Sequence, residues 1–280
     1  MELKFQNMKS FVKLFSSGRC NIIGMIHVPA LPATPLSRLS MAEIIDKVDH
    51  EAEIYRDCGV DGVMIENMHD TPYCLEKDLE PHIGACMSVV GRTVRLRTKE
   101  LVPVGVQVLA AANSTAIGVA LAAQLQFVRA EGFVFGHVAD EGWIGGCAGP
   151  LLRYRQQLGG GGISIICDIK KKHSAHAMTS DVSIQETAKA AKFFNADGVI
   201  VTGTATGEPA SPQEISDVMK AVPDMPVLVG SGVTTENMEK FANAHALIIG
   251  SYFKKEGQWE NDLDPYRIKA AVDEAARFKI

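Results

Sequence analysis

Charged side chains follow several short apolar runs in this 280-residue sequence. Lys170 and Asp168 are two residues apart at the end of one run, so they are predicted to point to the same side of a strand. An inward lysine can form a Schiff base, stabilise an enolate or hold a phosphate, and a facing carboxylate can move a proton. Two further runs end in Glu66 and His27. We therefore predict a catalytic set of Lys170, Glu66, Asp168 and His27.

The same residues also have structural interpretations. Asp168 and Lys170 could form a purely structural ion pair. Glu66 could form a salt bridge that only holds Lys170 in place, and His27 could be a structural histidine whose hydrogen bonds are satisfied within the protein.

Two turns of small residues near the end of the chain also follow apolar runs. The first is Gly230-Ser231-Gly232 and the second is Gly250-Ser251. Glycine lets the backbone come close to a ligand, and unpaired backbone N–H groups at the start of a helix favour an anion. Side by side, the two turns would form a cup. We predict that these five residues bind the phosphate of a small phosphorylated ligand.

Other polar residues at the ends of apolar runs are predicted to line the same pocket. They are Asn67, Gln107, His137, Asp140, Thr202 and Thr204. No cofactor is firmly implied. A divalent metal is possible if His27, Glu66 and Asp168 converge in space, whereas His173 and His176 lack a third ligand nearby in the sequence.

The apolar runs recur at nearly regular intervals and alternate with helical patterns. The predicted strands are residues 21–28, 62–66, 103–109, 133–137, 164–170, 198–202, 226–229 and 246–249. The predicted helices are residues 41–58, 83–97, 114–130, 150–157, 184–194, 212–221, 235–243 and 265–278. Strands that alternate with helices form a parallel sheet, and eight such strands close as a barrel whose functional residues lie at the carboxyl ends.

The predicted fold is therefore α/β, a single (β/α)8 TIM barrel over residues 21–280. Residues 1–20 are predicted to be an N-terminal helix or extension across the bottom of the barrel. The glycine-rich residues 140–146 could form a lid over the functional face. Asp61-Gly62 and Asp197-Gly198 precede similar runs about half a chain apart, which fits either a barrel of two related halves or a common helix-to-strand turn.

Composition narrows the class of protein. The net charge of −5 argues against a nucleic-acid partner, and no apolar run reaches the roughly 20 residues of a transmembrane segment. The six scattered cysteines have no C-x-x-C spacing and are predicted to be reduced thiols. We predict a soluble cytoplasmic protein and a possible homo-oligomer. The basic, apolar-periodic residues 1–19 leave a mitochondrial location as the alternative.

Four motifs in the sequence have a family resemblance. They are Gly24-Met25-Ile26-His27-Val28-Pro29-Ala30-Leu31-Pro32, Gly62-Val63-Met64-Ile65-Glu66-Asn67, Asp168-Ile169-Lys170-Lys171-Lys172-His173-Ser174 and Gly230-Ser231-Gly232-Val233-Thr234. Together they resemble the BtpA family over residues 20–260, and the first motif is the most specific. The resemblance implies a phosphate-binding barrel related to the ribulose-phosphate-binding superfamily. It also implies a family named for a role in accumulating photosystem I in cyanobacteria.

One segment departs from the family pattern. Relatives tend to read Gly-Val-Asn-Val-Leu-Arg-Asn at the third strand, whereas this chain reads Gly105-Val106-Gln107-Val108-Leu109-Ala110-Ala111-Ala112-Asn113. Gln107 can replace the asparagine as a hydrogen-bonding group, but nothing local replaces the arginine.

The function predicted from these observations is a BtpA-like barrel that binds a small phosphorylated metabolite and acts as a lyase or isomerase through Lys170. The alternative is a non-catalytic biogenesis or stability factor for a membrane protein complex. A cup occupied by an anion, with a sealed and polar pocket beside it, would favour the enzyme, and a cup blocked by side chains would favour the factor.

Overall fold

Eight parallel strands form a closed barrel in the computed structural model, which describes residues 6–15, 18–99 and 101–278. In chain order the strands are β1 (Asn21–His27), β2 (Gly62–Glu66), β3 (Val104–Gln107), β4 (Phe127–Ala130), β5 (His137–Ala139), β6 (Gly142–Ile144), β7 (Ser164–Ile169), β8 (Ser174–Ala175), β9 (Gly198–Val201), β10 (Val227–Val229) and β11 (Ala246–Ile249). The order around the barrel is β1, β11, β10, β9, β7, β4, β3, β2 and back to β1. The remaining strands form a small sheet in the order β6, β5, β8. The predicted (β/α)8 barrel is confirmed.

A helix precedes β1, and further helices follow the barrel strands and cover the outside of the sheet. They are α1 (Gln6–Leu14), α2 (Met41–Cys58), α3 (Pro81–Arg97), α4 (Asn113–Ala123), α5 (Ala148–Gln157), α6 (Ile184–Phe193), α7 (Pro212–Ala221) and α8 (Pro265–Ala275). Short 3-10 segments span Glu76–Asp78, Ala177–Thr179, Met238–Phe241, Ser251–Phe253 and Lys255–Gly257. The helix predicted at residues 235–243 is therefore only a 3-10 turn.

The barrel strands are buried along their whole length, as expected for parallel strands covered on both faces. The inward side chains form a core of their own that includes Ile23, Met64, Phe127 and Leu228. Outward side chains pack against the surrounding helices in a second, larger core.

The N-terminal helix closes the bottom of the barrel. Phe11, on α1, and Phe15, directly after it, belong to the inner core and are each 4% exposed. The Phe15 ring lies 5.8 Å from the ring of Phe127 at the start of β4. A Cβ added to Gly62, at the start of β2, would lie 2.8 Å from the same Phe15 ring. The absence of a side chain at Gly62 therefore makes room for the aromatic plug.

The fourth barrel strand is not where the sequence analysis placed it. The prediction assigned residues 114–130 to a helix and residues 133–137 to the strand. In the structure α4 ends at Ala123, Gln124 takes a left-handed conformation with φ of 59°, and β4 begins at Phe127. The prediction failed because a short apolar run next to an alanine-rich helix looks like a continuation of that helix.

Asp61 and Asp197 make equivalent contacts in the two halves of the barrel. Asp61 Oδ2 accepts a hydrogen bond from the Ile22 backbone N–H at 2.8 Å, and Asp197 Oδ2 accepts one from Ile165 at 2.8 Å. Each aspartate also pairs with an arginine, Asp61 with Arg19 and Asp197 with Arg155. This equivalence favours the interpretation of two related halves.

Within the described ranges, no helix is both long enough and apolar enough to cross a membrane.

Candidate active site

The two glycine turns lie next to each other at the carboxyl end of the barrel. Strands β10 and β11 pair in parallel, with Leu228 opposite Ala246 and Val229 opposite Leu247. Their following turns border a cavity of about 180 Å³, here called the cup. The cup is lined by all five predicted phosphate-binding residues, Gly230, Ser231, Gly232, Gly250 and Ser251. It is open rather than filled by side chains.

Two of these glycines are required by their surroundings. A Cβ on Gly250 would lie 2.9 Å from His27 Nε2, and a Cβ on Gly232 would lie 2.2 Å from the backbone nitrogen of Pro209. Gly232 also has a φ of 65°, which side chains disfavour. Among the described residues, no acceptor takes the backbone N–H of Gly232 or Gly250. These N–H groups are therefore free to bind an anion.

A second cavity of about 330 Å³, here called the chamber, adjoins the cup. Glu66, Arg129 and Lys172 line both cavities. A ligand held in the cup would thus have its remaining atoms beside these three charged groups.

Four of the charged side chains in the chamber form two buried pairs. Arg129, on β4, binds Asp168 in a bidentate manner, with Nε–Oδ2 of 2.8 Å and Nη2–Oδ1 of 2.9 Å. Lys171 Nζ lies 3.4 Å from Glu131 Oε1. Burial opposes the charge of Arg129, but Asp168 and the other carboxylates around it raise its pKa above the ordinary value. Arg129 therefore remains a cation in the site.

Glu66 and Lys172 are left without partners. Neither the Glu66 carboxylate nor the Lys172 amine has a hydrogen bond or ion pair with any described residue. Burial raises the pKa of Glu66, with Arg129 and Lys172 opposing the shift. Burial and the nearby Arg129 charge lower the pKa of Lys172. The two shifts bring the pKa values of Glu66 and Lys172 closer together. Perturbed pKa values of this kind are typical of sites that perform acid–base chemistry.

His27 is a neutral member of the site. Its Nδ1 lies 3.2 Å from the Trp259 carbonyl oxygen, so Nδ1 carries the proton and donates it. Burial, followed by the Lys254 charge, lowers the pKa of His27 to about 3. Nε2 is therefore an unprotonated acceptor directed at the Gly250 side of the cup.

The structure corrects the predicted position of Lys170. Strand alternation stops with β7 at Ile169, and Lys170 has a left-handed backbone with φ of 48°. Its Nζ donates to the Thr179 carbonyl at 2.6 Å, in a separate cavity of about 20 Å³. The alternative interpretation of an Asp168–Lys170 ion pair is also wrong, because both Asp168 oxygens accept hydrogen bonds from Arg129. Lys172 occupies the position expected of Lys170.

The other predicted pocket residues divide into two groups. Gln107 and Asp140 line the chamber. Thr202 lies behind it and accepts a hydrogen bond from the Lys172 backbone N–H at 2.9 Å, which helps to fix that lysine.

Like Thr202, three further predicted pocket residues line neither cavity. Asn67 is structural, because its side chain bonds Asp70 at 2.9 Å and the Leu109 backbone N–H at 2.8 Å. Thr204 is exposed. His137 lies on β5 beside the small cavity that holds Lys170.

Sequence reasoning missed Arg129, Glu131 and Lys172. The first two lie at the end of the misplaced fourth strand, where Arg129 interrupts the apolar run 127–130 and was a visible signal. Lys172 lies in the run Lys170-Lys171-Lys172, from which the sequence analysis selected Lys170. In the part of the chain that is described, no three His, Cys, Asp or Glu side chains are grouped so as to hold a metal ion.

Solved structures with the same fold are remote in sequence. KGPDC from Streptococcus mutans has a TM-score of 0.58 at 9% identity, covering 93% of this chain and 99% of that one. Orotidine 5'-phosphate decarboxylase from Pyrococcus horikoshii has a TM-score of 0.55 at 14% identity, covering 91% and 99%. At these identities the likeness shows the barrel fold and nothing more.

Relatives in sequence match over nearly the whole chain. An uncharacterised protein of Caenorhabditis elegans, named as mitochondrial, is 54% identical over 91% of this chain and 93% of its own. The photosystem I biogenesis protein BtpA of a Synechocystis strain is 28% identical over 91% and 88%. An uncharacterised protein of Pyrococcus furiosus is 31% identical over 90% and 93%. The BtpA family model matches residues 19–277, so this chain belongs to the BtpA family.

Proposed function

We propose that this barrel is an enzyme that binds a small phosphorylated metabolite and catalyses a lyase or isomerase reaction. The single observation that carries the proposal is the open cup joined to a chamber at Glu66, Arg129 and Lys172. The phosphate would lie against the glycine turns, with the cations Arg129 and Lys172 balancing its charge.

The chemistry follows from the two unpartnered groups. The Glu66 carboxylate removes a proton from a carbon next to a carbonyl, and the Lys172 ammonium donates a hydrogen bond to the enolate oxygen that forms. Return of the proton to the neighbouring carbon gives an isomerisation. Expulsion of a leaving group from the next carbon gives an elimination. His27 Nε2 accepts a hydrogen bond from a ligand hydroxyl.

Proton exchange with solvent tests this proposal without knowledge of the natural product. Glucose 6-phosphate, fructose 6-phosphate and glucosamine 6-phosphate would be incubated with the protein in D2O and followed by proton NMR. We expect deuterium to enter at the carbon next to the carbonyl of at least one ester. Lys172→Met should reduce the exchange rate about 100-fold or more, whereas the matched variant Lys170→Met should retain it. Exchange that survives in Lys172→Met, or that occurs with none of the esters, would contradict the proposal.

The second candidate function is a non-catalytic biogenesis factor. It is favoured by one observation, the likeness to a cyanobacterial protein named for photosystem I biogenesis. An open cup with unpartnered charges gives more support to the enzyme. The exchange experiment separates the two functions, since a factor would show no turnover.

The predicted location was cytoplasmic with a mitochondrial alternative. We propose the mitochondrial alternative, because the relative with 54% identity is named as mitochondrial. Imaging of the full chain with a carboxyl-terminal fluorescent tag should show overlap with a mitochondrial marker. A diffuse cytoplasmic signal would speak against it.

A further inference from the structure

The cup and the chamber differ in the balance of their charges. Besides the neutral His27, the cup is lined by two basic side chains, Arg129 and Lys172, and one carboxylate, Glu66. The chamber is lined by five carboxylates, Glu66, Glu131, Asp140, Glu141 and Asp168, against three cations, Arg129, Lys171 and Lys172. His173 adds no charge to the chamber, since burial and Lys172 lower its pKa. A ligand that spans both cavities is therefore favoured when its far end is positive.

Gln107 supplies an acceptor that no donor satisfies. The side chain is 2% exposed, and its Nε2 donates to Glu131 Oε1 at 3.2 Å. This contact fixes the orientation of the amide, so that Oε1 is the free atom. Within the described ranges Gln107 Oε1 has no hydrogen-bond partner. An unpaired buried acceptor is unfavourable, and a hydrogen-bond donor on the ligand would remove that cost.

Glu141, which also lines the chamber, supplies a second free acceptor. It lies in the turn between β5 and β6, next to Asp140. Its Oε2 is buried and likewise unpartnered among the described residues. Burial raises the pKa of Tyr73, and the negative charges of Glu66, Glu141 and Glu131 raise it further. The three carboxylates therefore act on the same side chain of the chamber.

Three side-chain donors that line the chamber are already in use. Lys171 faces Glu131, and Nε and Nη2 of Arg129 donate to Asp168. The Tyr73 hydroxyl donates to the Met68 carbonyl at 2.6 Å. The unpartnered Lys172 amine lies at the border with the cup, so the free acceptors deeper in the chamber are left for donors on the ligand.

We propose that the ligand is a phosphate ester that carries a protonated amine at the end away from the phosphate. The amine binds Gln107 Oε1 and the Glu141 carboxylate in the chamber while the phosphate occupies the cup. This inference rests on the proposed function, because the cup must hold the phosphate for the amine to reach the chamber.

Calorimetry with matched ligand pairs tests the amine. The probes are inorganic phosphate, glucosamine 6-phosphate with glucose 6-phosphate, and O-phosphoethanolamine with ethyl phosphate. We expect the amine member of each pair to bind at least tenfold more tightly at pH 7. Glu141→Gln should remove this preference without changing the affinity for inorganic phosphate. Glu239→Gln, an exposed carboxylate on the outside of the barrel, should preserve it.

The outcomes separate the two proposals. If inorganic phosphate binds but the amine esters have no advantage, or keep their advantage in Glu141→Gln, the amine proposal is overturned and the phosphate cup stands. If neither phosphate nor any ester binds, both proposals fail.

Discussion

At the scale of single residues, four charged groups at the barrel mouth form two ion pairs, whereas Glu66 and Lys172 stay unpaired among the described residues. Arg129 with Asp168 and Lys171 with Glu131 satisfy one another, which holds the walls in place. Glu66 has no such partner, and its burial raises its pKa. A free buried carboxylate is costly for folding and useful as a proton acceptor. The unpaired Glu66 is therefore expected to lower the free energy of unfolding while providing a group for proton transfer.

Glu66→Gln should stabilise the protein at neutral pH. The pKa of Glu66 in the folded protein is raised above its ordinary value of 4.5. Its contribution to stability is thus fully present below that ordinary value and is lost as the pH rises through the folded pKa. Glutamine is neutral and avoids the loss. We expect a higher Tm than wild type at pH 7, with a difference that shrinks towards pH 4.5. Calorimetric scans should show no such change for Glu239→Gln, and a lower Tm for Glu66→Gln at pH 7 would contradict the account.

Gly250→Ala should narrow the cup. Gly250 has a negative φ of −112°, so alanine does not have to enter the left-handed conformation there. The added methyl group would lie 2.9 Å from His27 Nε2 and narrow the space for a phosphate. We expect a loss of phosphate affinity of about tenfold, measured by calorimetry. Gly118→Ala is the control, since its Cβ would meet no atom within 4 Å. Equal affinities in the two variants would show that Gly250 does not border the anion.

The lysine predicted to be catalytic shows how far residue-level prediction can reach. The sequence located a lysine at the end of the fifth barrel strand, which is correct for the segment. Alternation of side chains applies only inside a strand, and Lys170 already lies beyond β7 with a positive φ. Because the chain turns at Lys170, the side chain that faces the barrel mouth is that of Lys172. No local pattern in residues 170–172 predicts this turn.

At the scale of elements, the prediction of strands and helices was accurate where the patterns were separated by clear turns. Helices α2 and α7 were predicted with their observed ends, because Ser40 and Ser211 mark their starts and cap them in the structure. Strand β4 was missed because no glycine or proline marks the end of α4. Gln124 takes the left-handed position that glycine usually fills. Because this cap was not recognised, β4 was misplaced, and Arg129 and Glu131 were not predicted as site residues.

The aromatic plug under the barrel should contribute strongly to stability. Phe15 is 4% exposed and packs against Phe127 in the inner core. Phe15→Ala should lower the free energy of unfolding by about 3–5 kcal/mol. Val12→Ala on the same helix is the control, because Val12 is 44% exposed and should change stability by less than about 0.5 kcal/mol. Urea unfolding measures both, and similar losses in the two variants would contradict the plug.

At the scale of the whole molecule, charge is distributed unevenly. The chain has a net charge of −5, yet its cup is lined by two cations and one carboxylate. The net charge therefore gave no sign of the proposed anion site, and the closed barrel brings Arg129 from β4 to the turns after β10 and β11. The fold is shared with enzymes at 9% and 14% identity, so it does not identify the reaction. The function depends on what the cup and the chamber bind.

Binding of inorganic phosphate tests the central claim most directly. Titration calorimetry would compare wild type with Lys172→Met and with Lys170→Met. The account predicts one phosphate bound by wild type and by Lys170→Met, and an affinity about 10- to 100-fold lower in Lys172→Met, the loss expected for one charge-assisted hydrogen bond of about 1.5–3 kcal/mol. Equal binding by all three proteins, or a loss confined to Lys170→Met, would contradict it.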